Sequence, residues 1–403
     1  DRSVSRGLGD VYKRQPYDGL SLSVVLKAEG TIEKHVVGSV TESLVADPVA
    51  PEDYARLTEI FENPSLQMVT FTITEKGYSL VNGKGEKLPG VEDGFLAGPG
   101  NQSHLMGRIA SLCYARFVKN GTPLALVSTD NCSHNGDKLK AGVMAYVDAW
   151  KQAGKVDDDF VSYMEEKVSF PWSMIDKITP RPDEKVKEML EKDGFEDTDL
   201  IITSRNTYTA PFVNSEETGY LVIEDNFPNG RPPLEKAGIV FTDRETVDKV
   251  EKMKVCTCLN PLHTALAIYG CMLGHTSIHD EMEDKELSQL IQKMCYEEAM
   301  SVVVNPGVID PKEFANAVLT KRLPNPFMPD TPQRIACDTS QKLPIRFGET
   351  IKFYENREDL DTKSLTLIPL VLAGWCRYLM GIDDEGNAFE QLSLIHISEP
   401  TRH

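Results

Sequence analysis

Several things are scarce in this 403-residue chain. No run of about 18 apolar residues occurs, so no transmembrane helix is expected and no membrane partner. Eight cysteines, at 113, 132, 256, 258, 271, 295, 337 and 376, include no Cys-x-x-Cys pair. Scattered in this way they read as small apolar side chains in a reducing cytosol, which points to a cytoplasmic location. Positive charge is short: 43 Lys and Arg face 62 Asp and Glu, a formal charge of −19. Such a chain repels phosphate backbones, which argues against nucleic acid as a partner. There is no internal repeat and no low-complexity tract. What remains, 40% hydrophobic and 26% charged residues, is the composition of a soluble globular protein, long enough for two domains.

The two ends are expected to be foreign. Asp10–Gln15 (DVYKRQ) back-translates to GATGTGTATAAGAGACAG, and Leu392–Ile397 (LSLIHI) to CTGTCTCTTATACACATC. The two are reverse complements and resemble a sequencing adapter. Residues 1–15 and 392–403 are therefore set aside, and 16–391 is read as a fragment of a longer gene product.

The first part of that segment alternates strand-like and helix-like stretches. Ser21–Lys27 and Glu33–Val40 read as strands around a turn at Glu29-Gly30. Gln67–Ile73 and Leu124–Thr129 read as buried strands. Helices are expected over Glu52–Glu62, His104–Lys119 and Asp137–Gln152. That alternation argues for a parallel sheet with helices on its faces. A β-rich extension covers roughly 196–243. Beyond it helices dominate: Thr246–Lys254, His263–Gly274, Asp284–Met300, Pro311–Leu319 and Leu367–Leu379. The fold class is α/β followed by α: a Rossmann-like domain over 16–243, then a mainly helical domain over 244–391.

An α/β sheet of this kind binds a dinucleotide outside the carboxyl ends of its strands. The Gly-x-Gly-x-x-Gly fingerprint for the pyrophosphate is missing; Gly98-Pro99-Gly100 is a near match that more simply opens a helix. Thr74 and Glu75 end one buried strand, where they face either the crevice or a turn made by Gly77. Asn131 ends the next, either as a donor to a developing oxyanion or as an Asx-turn residue. His263, His275 and His279 form a loose candidate metal set beside Asp280 and Glu281. Lys254 opens KVCTCLNPLH (254–263), which offers a lysine, an amide and an imidazole within ten residues. A lysine buried near a helix start can serve as a general base; an exposed one beside Lys249 and Lys252 would not.

Six blocks in order carry a resemblance: TITEKGY (72–78), STDNCSHNG (128–136), VSFPWSMIDKITP (168–180), EDNFPNGRPPLEKAGIVFTD (224–243), KVCTCLNPLH and RIACDTSQKLP (334–344). Together they resemble the mannitol dehydrogenase family of polyol-specific long-chain dehydrogenases, over about residues 20–386. The resemblance implies an NAD- or NADP-dependent secondary-alcohol dehydrogenase without a catalytic metal, with a sugar acid or polyol bound between the domains. Carried over by position, it implies Lys254 as general base, Asn131 and Asn260 as the pair stabilising the alkoxide, and His263 as a hydrogen-bond partner of the substrate. Asp176 and Arg334 match substrate-binding positions, Glu251 an acid near the lysine, and Thr74 and Glu75 the loop beside the cofactor. Lys342 and Arg346, close to Arg334, either would suit a carboxylate or are simply surface charge. The expected reaction is fructuronate to D-mannonate, with mannitol 2-dehydrogenase as the alternative; a metal-dependent enzyme and an inactive relative are more distant readings. Neither the choice between NAD and NADP nor the oligomeric state is legible. One departure stands out: five residues separate Lys254 from Asn260, where the family has four. In a continuous α-helix one extra residue turns Lys254 by about 100°. Either a loop before the helix absorbs it, or Lys252 is the base.

Overall fold

The computed structural model describes residues 20–389, apart from 181, 183, 197, 203–207 and 329. Both adapter-like ends lie outside the described residues. The chain divides into two compact units. The first holds the described residues up to Val24, with Lys34–Ser215 and Gly219–Val247. The second holds Val25–Glu33, Glu216–Thr218 and the described residues from Asp248 onward.

Strands β1 (Ser21–Leu26), β2 (Ile32–Val37), β3 (Met68–Phe71), β4 (Leu124–Ser128), β5 (Val168–Ser169) and β6 (Ser173–Asp176) form in chain order. They are followed by β7 (Ile201–Ile202), β8 (Tyr208–Thr209), β9 (Phe212–Glu216), β10 (Tyr220–Glu224) and β11 (Val240–Thr242). The expected parallel sheet is β3-β4-β5, with Val69 opposite Leu126 and Leu124 opposite Val168. Strand β4 is buried on both faces, as its unbroken apolar run requires. Leu124 and Leu126 pack with helices α1 (Pro51–Glu62), α2 (Leu105–Lys119) and α3 (Asn135–Gln152) around Trp150, Tyr146 and Phe160. Ala125 and Val127 point the other way, against Ile223, Leu221 and Phe241 of β10 and β11. There the sheet β11-β10-β6 mixes a parallel and an antiparallel pair. The remaining sheets are β2-β1-β9 and β7-β8.

The fully buried Arg116 holds the loops beneath this sheet. Its guanidinium donates to the carbonyls of Phe61, Asn63, Leu66, Thr122 and Pro123. Nothing in the helical periodicity of α2 marks that role.

In the second unit, α4 (Arg244–Lys252), which begins just before it, runs through a π-helical turn (Met253–Cys258) into α5 (Asn260–Leu273). By length and composition Arg244–Leu273 could cross a membrane, but 78% of its most apolar window is buried inside the protein, as in a core helix. Leu262, Leu266 and Ile268 of α5 are fully buried. Helices α6 (Ile278–Glu283), α7 (Lys285–Lys293) and, from far along the chain, α8 (Leu367–Tyr378) pack against α5. Further π-helical turns occupy Met294–Ala299, Val318–Arg322 and Pro344–Gly348. These were not legible as breaks in the expected helices, because a π-turn keeps the chain helical while adding one residue to the turn.

Two buried glutamates of this unit behave oppositely. Glu298 accepts from the backbone N–H groups of Thr366, Leu367 and Ile368, closing the start of α8. Glu281 is fully buried and, among the described residues, neither carboxyl oxygen makes a hydrogen bond. It lies where Gly270 leaves room: a Cβ there would sit 1.5 Å from its Oε1. Burial, helped by Asp280, pushes the Glu281 carboxyl up to about 8. The folded pKa exceeds the unfolded one, so the native state holds the extra proton between them. Stability from this group is complete below the ordinary carboxylate range and is lost as pH rises towards 8. Urea midpoints measured from pH 5 to 8.5 should therefore fall less in Glu281→Gln than in the parent.

Candidate active site

The helical ladder explains how Lys254 and Asn260 come to share one segment. The Leu259 N–H bonds to the Lys254 carbonyl at 3.1 Å, five residues back rather than four. Leu259 then leaves helical geometry (φ −130°, ψ −64°), and its carbonyl accepts from the His263 N–H at 3.0 Å. The extra residue is thus absorbed inside the helix as a π-turn, not in a preceding loop. Its absorption cancels the rotation that a straight α-helix would impose on the lysine. Lys254 is 2% exposed. Lys252 is 55% exposed and donates to Asp248 at 2.6 Å. Glu251 lies one turn before Lys254, on the same segment.

His263 sits on the first turns of α5, its side chain 15% exposed. Its Nε2 is buried and makes no hydrogen bond among the described residues. Burial above all, then Arg346, Arg334, Arg322 and Lys342, pushes its pKa down to about 3. The ring is therefore neutral at physiological pH, and Asp330, whose Oδ2 lies 3.5 Å from Nε2, is not its ion-pair partner. Asp330 is paired instead with Arg334. The four cations differ in what holds them. Arg322 makes a two-pronged, buried bridge to Glu216, Nε to Oε2 at 2.9 Å and Nη2 to Oε1 at 2.8 Å. Lys342 donates to the carbonyls of Ile335 and Cys337. Arg346 donates from Nη1 to Thr264 Oγ1 and lies 3.5 Å from the Asn260 carbonyl.

In the first unit the carboxyl ends of β3 and β4 carry the expected crevice loops. Asp130, not foreseen, organises them: its carboxylate accepts from the Ile73 and Thr74 N–H groups, both at 2.8 Å, and from the Tyr78 hydroxyl. That grip holds Thr74 at φ +64°, a left-handed conformation that a β-branched residue adopts only when forced. Glu75 follows and pairs with Lys138 beside a cavity of about 430 Å³ lined also by Tyr78, Ser79, Leu80, Ala141 and Gly142. Asn135 is the first residue of α3; its amide donates to the carbonyls of Asp130 and Ser173 and accepts from the Ser173 N–H. Gly136 lets that helix start against the chain: a Cβ would lie 2.6 Å from the Phe170 carbonyl oxygen. Asn131 falls in the loop between, and Asp176 ends β6, buried. An acid directly before the Asx-turn candidate Asn131 was a readable signal; its backbone partners were not.

The three histidines of the metal reading do not form a group. Among the described residues, the ligand-type cluster within 4.8 Å is His279, Asp280 and Glu283, while His275 faces Asp284 at 3.9 Å. For a dinucleotide, the fit is to an edge: Thr74, Glu75 and Asn131 stand where a strand-end crevice offers polar groups, and the described residues hold no glycine-rich pyrophosphate loop.

Comparison with known proteins finds two family models, one on each part of the chain. The model of the mannitol dehydrogenase Rossmann domain matches residues 11–236, and that of the mannitol dehydrogenase C-terminal domain matches residues 246–396. The chain is 55% identical over 382 residues to the D-mannonate oxidoreductase of Thermotoga maritima, covering 94% of this chain and 70% of that protein. It is 31% identical to mannitol dehydrogenase 2 of Saccharomyces cerevisiae, covering 88% of this chain and 66% of the yeast protein. Among solved structures, a substrate-free D-sorbitol dehydrogenase superposes with a TM-score of 0.83 at 25% identity, covering 97% of this chain and 75% of that one. Pseudomonas fluorescens mannitol 2-dehydrogenase, solved with NAD and D-mannitol, superposes at 0.71 and 25% identity, with 97% and 74% covered.

Proposed function

The chain belongs to the mannitol dehydrogenase family, and from that premise we propose that it interconverts a keto sugar acid and its polyol acid, fructuronate and D-mannonate, with NAD or NADP. The observation that carries the choice of an acid over a neutral polyol is the surroundings of His263. A chain of net charge −19 gathers four cations around one neutral imidazole. Such a field favours an anionic substrate. The likeness to the Thermotoga D-mannonate oxidoreductase supports the same reading.

The bound nicotinamide supplies a hydride acceptor, or a hydride donor in the reverse direction. Everything else falls to the protein. Lys254 takes the substrate hydroxyl proton during oxidation and returns it during reduction. Asn260 donates its amide to the oxygen as negative charge develops there, and Asn131 has the same role from its loop. His263 Nε2, buried and without a hydrogen bond among the described residues, is available to a substrate hydroxyl. Arg334 and Lys342 belong to the substrate's surroundings in the helical unit, Asp176 to those in the sheet unit. Glu251 relays the proton of Lys254. Thr74 and Glu75 border the cofactor. No metal takes part, and the enzyme works in the cytoplasm on a small molecule, with no nucleic acid or membrane partner.

Steady-state oxidation of D-mannonate and mannitol by the full chain, with NAD and with NADP, tests this. D-mannonate should be the better substrate by kcat/KM, and exhaustive chelation should leave its turnover unchanged. Faster mannitol oxidation would reject the acid, and loss of activity on chelation would reject the metal-free mechanism.

A further inference from the structure

The four cations around His263 are not equivalent. Glu216 neutralises Arg322, Asp330 neutralises Arg334, and two backbone carbonyls hold Lys342. Among the described residues no carboxylate pairs with Arg346. Among the described residues only its Nη1 is engaged, by the Thr264 hydroxyl and, at 3.5 Å, the Asn260 carbonyl. Burial pulls the Arg346 guanidinium down to about 10, which leaves it charged at neutral pH. A partly buried cation without a counter-charge is costly unless something anionic joins it.

Its position is as specific as its lack of a partner. Thr264 Oγ1 itself donates to the Asn260 carbonyl at 2.8 Å. The guanidinium is therefore tied to the first turns of α5, the same turns that carry Asn260 and His263. Arg346 lies within the π-turn Pro344–Gly348, where Pro344 offers no backbone N–H and the ladder widens. That π-turn packs against the one that carries Lys254.

We infer that Arg346 is the receptor for the substrate carboxylate and the residue that selects a sugar acid over a neutral polyol. The inference rests on the reading of the protein as an oxidoreductase of polyol acids and names the group that recognises the acid. The engaged Nη1 fixes the plane of the guanidinium; its remaining N–H groups form the fork that matches two carboxylate oxygens. A neutral polyol in the same place would leave the cation unpaired, which is the stronger kind of discrimination.

The test compares kcat/KM for D-mannonate and for mannitol in the full-chain protein, in Arg346→Gln and in Arg346→Lys. The ratio favouring D-mannonate should fall by about 100-fold in Arg346→Gln, mainly through KM, as expected for losing charge-assisted hydrogen bonds to a carboxylate. Arg346→Lys keeps the charge but not the fork and should lose about tenfold. If Arg346→Gln does not fold, Arg346→Lys alone decides. An unchanged ratio in a folded variant overturns the inference, as does an equal loss on both substrates, which would mark a merely structural arginine. If the parent enzyme itself prefers mannitol, the reading of the reaction fails first, and that outcome is visible before any variant is made.

Discussion

Lys254→Ala is expected to lower kcat for D-mannonate oxidation by about 1,000-fold, within the range that a general base contributes, with a much smaller change in KM. Lys252→Ala is expected to keep near-normal turnover. The contrast follows from where each amine lies. Lys254 is 2% exposed on the π-turn that leads to Asn260, whereas Lys252 reaches into solvent and is held by Asp248. Lys254→Met fills the same space without the amine, so it separates lost chemistry from lost packing. Near-normal turnover in the folded Lys254 variants would place the proton acceptor elsewhere. A deficit in Lys252→Ala as large as in Lys254→Ala would mean that the π-turn does not select between the two.

Glu216→Ala should cost about 3–5 kcal/mol of stability, because it removes the carboxylate that bridges the buried Arg322. The side chains are 2% and 3% exposed, and the bridge joins the end of β9 to the π-turn Val318–Arg322. Removing both charges with well-packed apolar residues, Glu216→Leu with Arg322→Met, should cost much less than the single change, since no unpaired charge remains. Denaturant midpoints of the three proteins measure this. A double variant no better than Glu216→Ala would show that the bridge contributes through its other contacts and not through charge balance.

Much of the layout was readable from residue pattern. Strand β4 was expected over Leu124–Thr129 and ends at Ser128; the helix expected over His104–Lys119 runs Leu105–Lys119. Long periodic segments dictate themselves, because burial of one face and backbone hydrogen bonding agree. The shorter pieces did not follow. The start of the expected β-rich extension yields a strand at Ile201–Ile202 among the described residues. The helix expected from Asp284 to Met300 is interrupted by a π-turn from Met294. Neither change alters the hydrophobic pattern, so neither leaves a trace in it.

The candidate segment divides in the same way. By itself the sequence determined the family through six ordered blocks, the candidate lysine, amides and imidazole, and the one-residue excess between Lys254 and Asn260. Tertiary structure decided how that excess is absorbed, since whether a carbonyl bonds four or five residues ahead depends on what packs against the turn. It also decided that Asp130 grips the strand-end loop, and that among the described residues Arg322 and Arg334 meet carboxylates while Lys342 and Arg346 meet backbone carbonyls or a hydroxyl instead. Pairing is a property of space: Arg322 meets an acid 106 residues away and Arg346 meets none among the described residues, and no spacing in the chain distinguishes them.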